Sequence, residues 1–176
     1  MSVIFLAGVH GVGKGFLGTP VANSMGITHL TASQLIREEK GQATWGNDKK
    51  TSELDDNQLA LIRAVAQRRL THPGILLDGH FVLRNAQGVL TPLATSVFKE
   101  LRLTGVILLT EAESVIASRL ALRDKRMPDV QGISELAAAE LTHAQGVCTE
   151  LELPFAKIHA PTLASLTDAV ARLLKS

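Results

Sequence analysis

The run Gly8-Val9-His10-Gly11-Val12-Gly13-Lys14-Gly15 carries the most specific chemistry in this chain. Glycines at positions 8, 11 and 13 let the backbone turn tightly and aim successive N–H groups inward, and Lys14 can reach the outer phosphates of a bound nucleotide. The apolar run Val3-Ile4-Phe5-Leu6-Ala7 leads straight in, and a helix leading out would add its N-terminal partial charge. The expected site is a triphosphate cradle made by Gly8, His10, Gly11, Val12, Gly13, Lys14, Gly15 and Phe16. The plainer alternative is a Gly-rich turn between a strand and a helix. Where a Ser or Thr hydroxyl usually sits on Mg²⁺, this chain has Gly15, followed by Phe16.

A second chemical group follows from Ile75-Leu76-Leu77-Asp78-Gly79, a buried strand that ends in a carboxylate. Asp78 can hold Mg²⁺ or its waters beside the loop; otherwise it caps a turn. The concentrated basic patch is Arg119, Arg123, Lys125 and Arg126, with Arg119 and Arg123 four apart on one helix face. Phosphoryl transfer needs cations that arrive on the transferring group when water is excluded, and a hinged basic segment supplies them. A solvated helix end is the alternative.

Gly-x-x-Gly-x-Gly-Lys-Gly resembles the loop of adenylate kinases and related nucleoside monophosphate kinases, in which Gly also follows the lysine. Phe16 stands where that family usually has Thr. The resemblance implies a three-layer α/β/α P-loop NTPase fold with a five-stranded parallel sheet in the order 2-3-1-4-5. It also implies a short acceptor arm over about 31–70 and a short lid over about 123–132. Thr31 to Arg37 is similar to the segment that opens the acceptor arm, which assigns Arg37 to the acceptor phosphate. Leu76-Leu77-Asp78-Gly79 is similar to the strand that continues Phe-Pro-Arg in that family. His80, Phe81 and Val82 replace those three, which makes His80 substrate-facing and Arg84 a displaced phosphate contact. Arg-x-x-x-Arg at Arg119 and Arg123 matches the start of the lid. The implied activity is transfer of the γ-phosphoryl of ATP, with Mg²⁺, to a nucleoside monophosphate. Lys14, Asp78, Arg119 and Arg123 would be its catalytic residues.

Two other readings stay open. A hydroxyl acceptor would need deprotonation, for which His80 or Asp78 is available. An ATP-binding regulatory protein with weak chemistry would account for Phe16, for Pro20 inside a helix, and for the missing acceptor Thr and Asp.

The remaining elements must position these groups. The chain has 176 residues, enough for one α/β domain over 1–176. Hydrophobic residues make up 45% and charged ones 20%, as in a folded chain, and no apolar run is long enough to span a bilayer. A start near Met1 without a basic leader, and the single Cys148, lead us to expect a reduced, cytoplasmic protein. A net charge of +1, one Trp and no Tyr give no basic track interleaved with aromatic platforms, so nucleic-acid partners are not expected. The expected partner is a small-molecule nucleotide, with the chain a monomer or homodimer.

Phe16–Met25 reads as the first helix, either kinked at Pro20 or restarted there with Thr19 as cap. Strands are expected at Ile27–Leu30, Ile75–Asp78, Gly105–Leu109 and Phe155–His159. Helices are expected from about Asp55 to Leu70, over Pro92–Leu101 with Thr91 as cap, after a Thr110–Glu113 capping box to about Arg123, over Ile133–Leu151, and after a Ser165–Asp168 cap. Trp45 is the one large anchor of a polar loop over 41–56.

Overall fold

A computed structural model of the chain describes residues 1–42, 53–85, 87–125 and 129–175. Trp45, Arg126 and part of the expected lid lie outside the described residues.

The central strand β1 (Ser2–Ala7) is flanked by β3 (Gly74–Asp78) and β6 (Gly105–Thr110), both parallel to it. The edges are β2 (Thr28–Thr31) and β7 (Phe155–His159), giving the order β2-β3-β1-β6-β7. Counting only these strands, that is the expected 2-3-1-4-5. The central strands are near-continuous apolar runs because both their faces are covered. Val3, Phe5 and Ala7 pack to one side of β1, and Ile4 and Leu6 pack to the other.

On the second side lie α1 (Lys14–Ser24) and α7 (Leu163–Lys175), through Val21, Ala22, Leu166, Val170 and Leu173. On the first lie α2 (Ala32–Gln42), α3 (Glu53–Thr71), α4 (Thr95–Glu100) and much of α6 (Val130–Glu150). Helix α5 (Glu113–Asp124) sends Ile116 into the α1 side. Three layers result, and all strands open their carboxyl ends on one edge, where ligands bind in such sheets.

Several local expectations are corrected. Of the two readings open at Pro20, the restart is excluded: α1 is one continuous helix, because buried Leu17, Val21 and Ala22 hold its inner face while Pro20 stays exposed. Two short strands, β4 (Val82–Arg84) and β5 (Leu90–Pro92), pair antiparallel where no strand was expected. Thr91 and Pro92 therefore belong to a strand, and the next helix starts at Thr95. Their sheet has only two strands, so Pro92 costs it no interior ladder bond. Thr110 ends β6 instead of opening a capping box; Ala112 is the N-cap of α5. The cap of α7 is Thr162, whose Oγ1 accepts from Ser165 N–H at 3.1 Å while Ser165 Oγ accepts from Thr162 N–H at 2.9 Å.

Candidate phosphoryl-transfer site

The turn between β1 and α1 has the conformation its glycines permit. Gly8, Gly11 and Gly13 have φ of 137°, 82° and 109°, a region that L side chains rarely adopt. A Cβ on Gly8 would also stand 2.6 Å from the Leu109 carbonyl oxygen of β6. Gly8→Ala is therefore expected to lower stability by more than about 2 kcal/mol, as measured by urea unfolding. A loss below about 0.5 kcal/mol would contradict this geometry.

Gly13 is the N-cap of α1, so the N–H groups of the first helical turn, including those of Lys14, Gly15 and Phe16, are free to meet an anion. Lys14 is only 7% exposed, and its Nζ donates to the carbonyls of Gly8 at 2.5 Å and Val9 at 3.4 Å. Nζ also lies 3.7 Å from Asp78 Oδ1, at the end of β3. Burial pushes the Lys14 ammonium below its ordinary pKa and the Asp78 carboxyl above its own, in each case against the pull of the other charge. His29 Nε2, buried without a hydrogen-bond partner, stands 3.9 Å from the other Asp78 oxygen. His29 joins this cluster from β2 and was not legible in the sequence.

Glu140 is the larger omission. It is 1% exposed, yet Oε2 accepts from Phe81 N–H at 2.9 Å and Oε1 lies 3.0 Å from His80 Nδ1. With Glu140 ionised, the proton of His80 sits on Nδ1 and Nε2 is left as the basic nitrogen. Buried Phe81 locks the neighbouring backbone by stacking on Phe98 at 4.4 Å and meeting Phe5 edge-on at 5.1 Å. One signal was available: Glu140 continues the inward stripe of Leu136, Ala144 and Val147 on α6.

His10 packs its ring against His80, with centroids 4.4 Å apart. Burial first, then His80, Lys14 and Arg123, lower its pKa from 6.5 to about 4, so its imidazole is neutral near pH 7. The folded chain holds this proton less tightly than the unfolded one, so His10 contributes acid destabilisation as pH falls from 6.5 toward 4. Filling the cradle with ATP should move the His10 titration upward, because phosphate charge favours the imidazolium. Proton NMR of the ring would show this; a free-protein midpoint at 6.5 would contradict the packing.

One cavity of about 560 Å³ is lined by the Gly-rich turn, Lys14, Phe16, Asp78, His80 and Arg123 and continues beneath α2, α3 and α4, with Glu140 and His29 behind its wall residues His80 and Asp78. Arg123 lines it while holding Asp124 through two bonds of 2.6 and 2.9 Å. Arg119 does not line it; its Nη1 donates to the Gly11 and Val12 carbonyls at 3.2 Å each, bracing the turn from outside. Arg84 donates to the Gly88 and Gly132 carbonyls at 2.8 and 3.0 Å, and Arg37 lies exposed on α2; neither borders the cavity. His143 is structural, donating to the Leu93 carbonyl at 2.6 Å.

No group of three or more His, Cys, Asp or Glu side chains poised for a metal occurs among the described residues. Mg²⁺ in phosphate sites needs only one or two carboxylates, with phosphate and water completing its shell. Asp78 fits that requirement.

A parallel sheet of this order, with a glycine cradle and buried lysine between β1 and α1, defines a P-loop kinase fold. Residues 7–137 match the AAA domain family AAA_17, and the chain belongs to that family. Among solved structures it is similar to a gluconokinase from Sinorhizobium meliloti 1021 (19% identity, 99% of this chain and 92% of that one, TM-score 0.56). It is also similar to a shikimate kinase from Acinetobacter baumannii in complex with shikimate (18%, 99% and 93%, TM-score 0.57). A third similar structure is an uncharacterized protein from Eubacterium ventriosum (10%, 99% and 98%, TM-score 0.56). No curated protein sequence matches the chain. The adenylate kinase likeness thus gives way to the broader P-loop kinase class. No described helix is long and apolar enough to cross a membrane.

Proposed function

We propose that this chain transfers the γ-phosphoryl group of ATP to a hydroxyl group of a small molecule. The observation that carries the reading is His80, held through Nδ1 by buried Glu140 on the wall of the cavity that begins at the phosphate cradle. A phosphate acceptor is already an anionic nucleophile and needs no base, whereas a hydroxyl does. In the proposed step the acceptor oxygen bonds to the γ-phosphorus and its proton passes to His80 Nε2. The bond from that phosphorus to the bridging oxygen breaks, and ADP leaves. Lys14 and the N–H groups of the first turn of α1 would hold the phosphates, and Arg123 would meet charge on the transferring group. Mg²⁺, when bound, would neutralise phosphate oxygens, and Asp78 is the residue to hold it or its waters. The gluconokinase and shikimate kinase that share the fold support this reading by their names.

A nucleoside monophosphate acceptor is the second reading, favoured by the guanidinium of Arg123 on the cavity wall. ADP release measured with Mg·ATP and a panel of alcohols and nucleoside monophosphates separates the two. Stimulation by an alcohol that disappears in His80→Ala supports the first; stimulation by monophosphates alone, indifferent to His80, overturns it.

The missing loop hydroxyl offers a gain-of-function check. A Cβ on Gly15 would meet nothing within 4 Å, so Gly15→Ser should fold normally. It is expected to lower the Mg²⁺ concentration needed for half-maximal activity by about threefold or more, as one added hydrogen-bonding ligand would. An unchanged Mg²⁺ dependence would contradict a metal beside Gly15.

A further inference from the structure

Beyond His80 the cavity changes character. Its inner wall is Ile36, Leu61, Leu83, Leu93, Val97 and Phe98, and the polar side chains lining it away from the phosphate end are Thr31, Ser33 and Gln58. Thr31 is committed to capping α2, accepting from Gln34 N–H at 3.2 Å. Gln58 is different. It lies on α3 in line with buried Leu61 and Val65, is 8% exposed, and its Oε1 has no hydrogen-bond partner among the described residues. A buried acceptor left unpaired costs stability, so its presence in an apolar wall points to a ligand that pairs with it.

Charge narrows the ligand. Among the described residues, the cations lining the cavity, Lys14 and Arg123, belong to the phosphate end. Among the described residues, the adjoining groove of about 430 Å³, which shares Gln58, Leu93 and Val97, is lined by Glu100 and by no cation. An acceptor whose body carried a carboxylate or phosphate would be desolvated there with no cation among the described lining residues to pair with it.

We propose that the acceptor is a neutral, largely apolar alcohol bearing an N–H or O–H group that donates to Gln58 Oε1. This assignment rests on the hydroxyl-acceptor reading and adds the class of acceptor. Pairing with Gln58 aligns the molecule along the apolar wall and aims its reacting hydroxyl back toward His80. The described part of the pocket thereby selects against sugar acids and nucleotides as acceptors.

The test uses the full chain with Mg·ADP and Mg·ATP, three alcohol probes, and AMP for comparison. N-(2-hydroxyethyl)benzamide is neutral and carries the donor, 2-hydroxyethyl benzoate replaces that N–H with oxygen, and 4-carboxy-N-(2-hydroxyethyl)benzamide adds an anion. Calorimetry reads binding, and ADP release reads transfer. The amide is expected to bind about tenfold or more tightly than the ester, the value of one hydrogen bond to an otherwise unpaired buried group. The carboxylated probe should bind more weakly still. In Gln58→Met the preference for amide over ester should vanish while the melting temperature of the free protein rises by roughly 2–4 °C, as removal of an unpaired buried group implies. Equal binding of amide and ester to the unmodified protein overturns the proposal. So does failure of every neutral probe to bind, or tighter binding of the carboxylated probe or of AMP. Selective binding of the amide without any phosphoryl transfer overturns the hydroxyl-kinase reading and upholds the pocket assignment.

Discussion

Lys14→Ala is expected to lower kcat/KM for ATP-dependent phosphoryl transfer by about 10³-fold or more, the scale of removing a charged donor from a dry, preorganised site. The reason lies in where the ammonium is kept. It is 7% exposed, folded onto the carbonyls of Gly8 and Val9, and 3.7 Å from Asp78. Burial already lowers its pKa, so the charge is held against a desolvation penalty that no packing role would require. Phosphate oxygens arriving beside it would gain an interaction strengthened by the absence of water. Steady-state kinetics, with unfolding curves of the variant as a control, check this. A folded Lys14→Ala protein that keeps activity within tenfold would remove Lys14 from the chemistry.

The second large effect is expected at Glu140, on α6 behind His80. Glu140→Gln keeps one oxygen for Phe81 N–H but presents an NH₂ group to His80 Nδ1. The imidazole must then accept at Nδ1 and carry its proton on Nε2, the wrong tautomer for a base. Loss of general-base assistance lowers kcat by about 10²–10⁴-fold. KM for ATP is expected to change less than kcat, since the lost Glu140 charge supports the Lys14 ammonium only through space and makes no hydrogen bond to it. A purely structural role predicts another pattern: reduced stability, with kcat of the folded fraction unchanged. Glu140→Ala would show the structural part by itself, since it strands a buried Phe81 N–H at a cost of about 1–3 kcal/mol.

What could be read from the sequence follows from the range of the interactions involved. The cradle was legible because its geometry is written in adjacent residues: three glycines that must take positive φ, then a lysine. The sheet was legible because Val3–Ala7, Ile75–Leu77 and Val106–Leu109 are apolar on both faces, the mark of parallel strands. The β4–β5 pair escaped because its strands are three residues each and one ends in proline. Pro20 left a kinked and a restarted helix both open, and only tertiary packing of its neighbours, which outweighs the local cost of roughly 3 kcal/mol, decides for the continuous one. Glu140 and His80 are 60 positions apart, so no spacing rule brings them together. Gln58 sits in the polar run Asp55-Asp56-Asn57 and reads as a solvated helix start until α3 is docked. The motif could give Arg119 a place beside the loop but not its contacts there, which are the Gly11 and Val12 carbonyls 108 and 107 positions away.

The central claim is transfer of phosphoryl to a hydroxyl rather than to water or to a phosphate. Phosphorus NMR of the protein with Mg·ATP and a mixture of small neutral and carboxylated alcohols tests it most directly, with Lys14→Ala as the control. A phosphate monoester resonance should grow in step with ADP and be absent in the control. Inorganic phosphate growing in step with ADP, with no ester at any time, would contradict it.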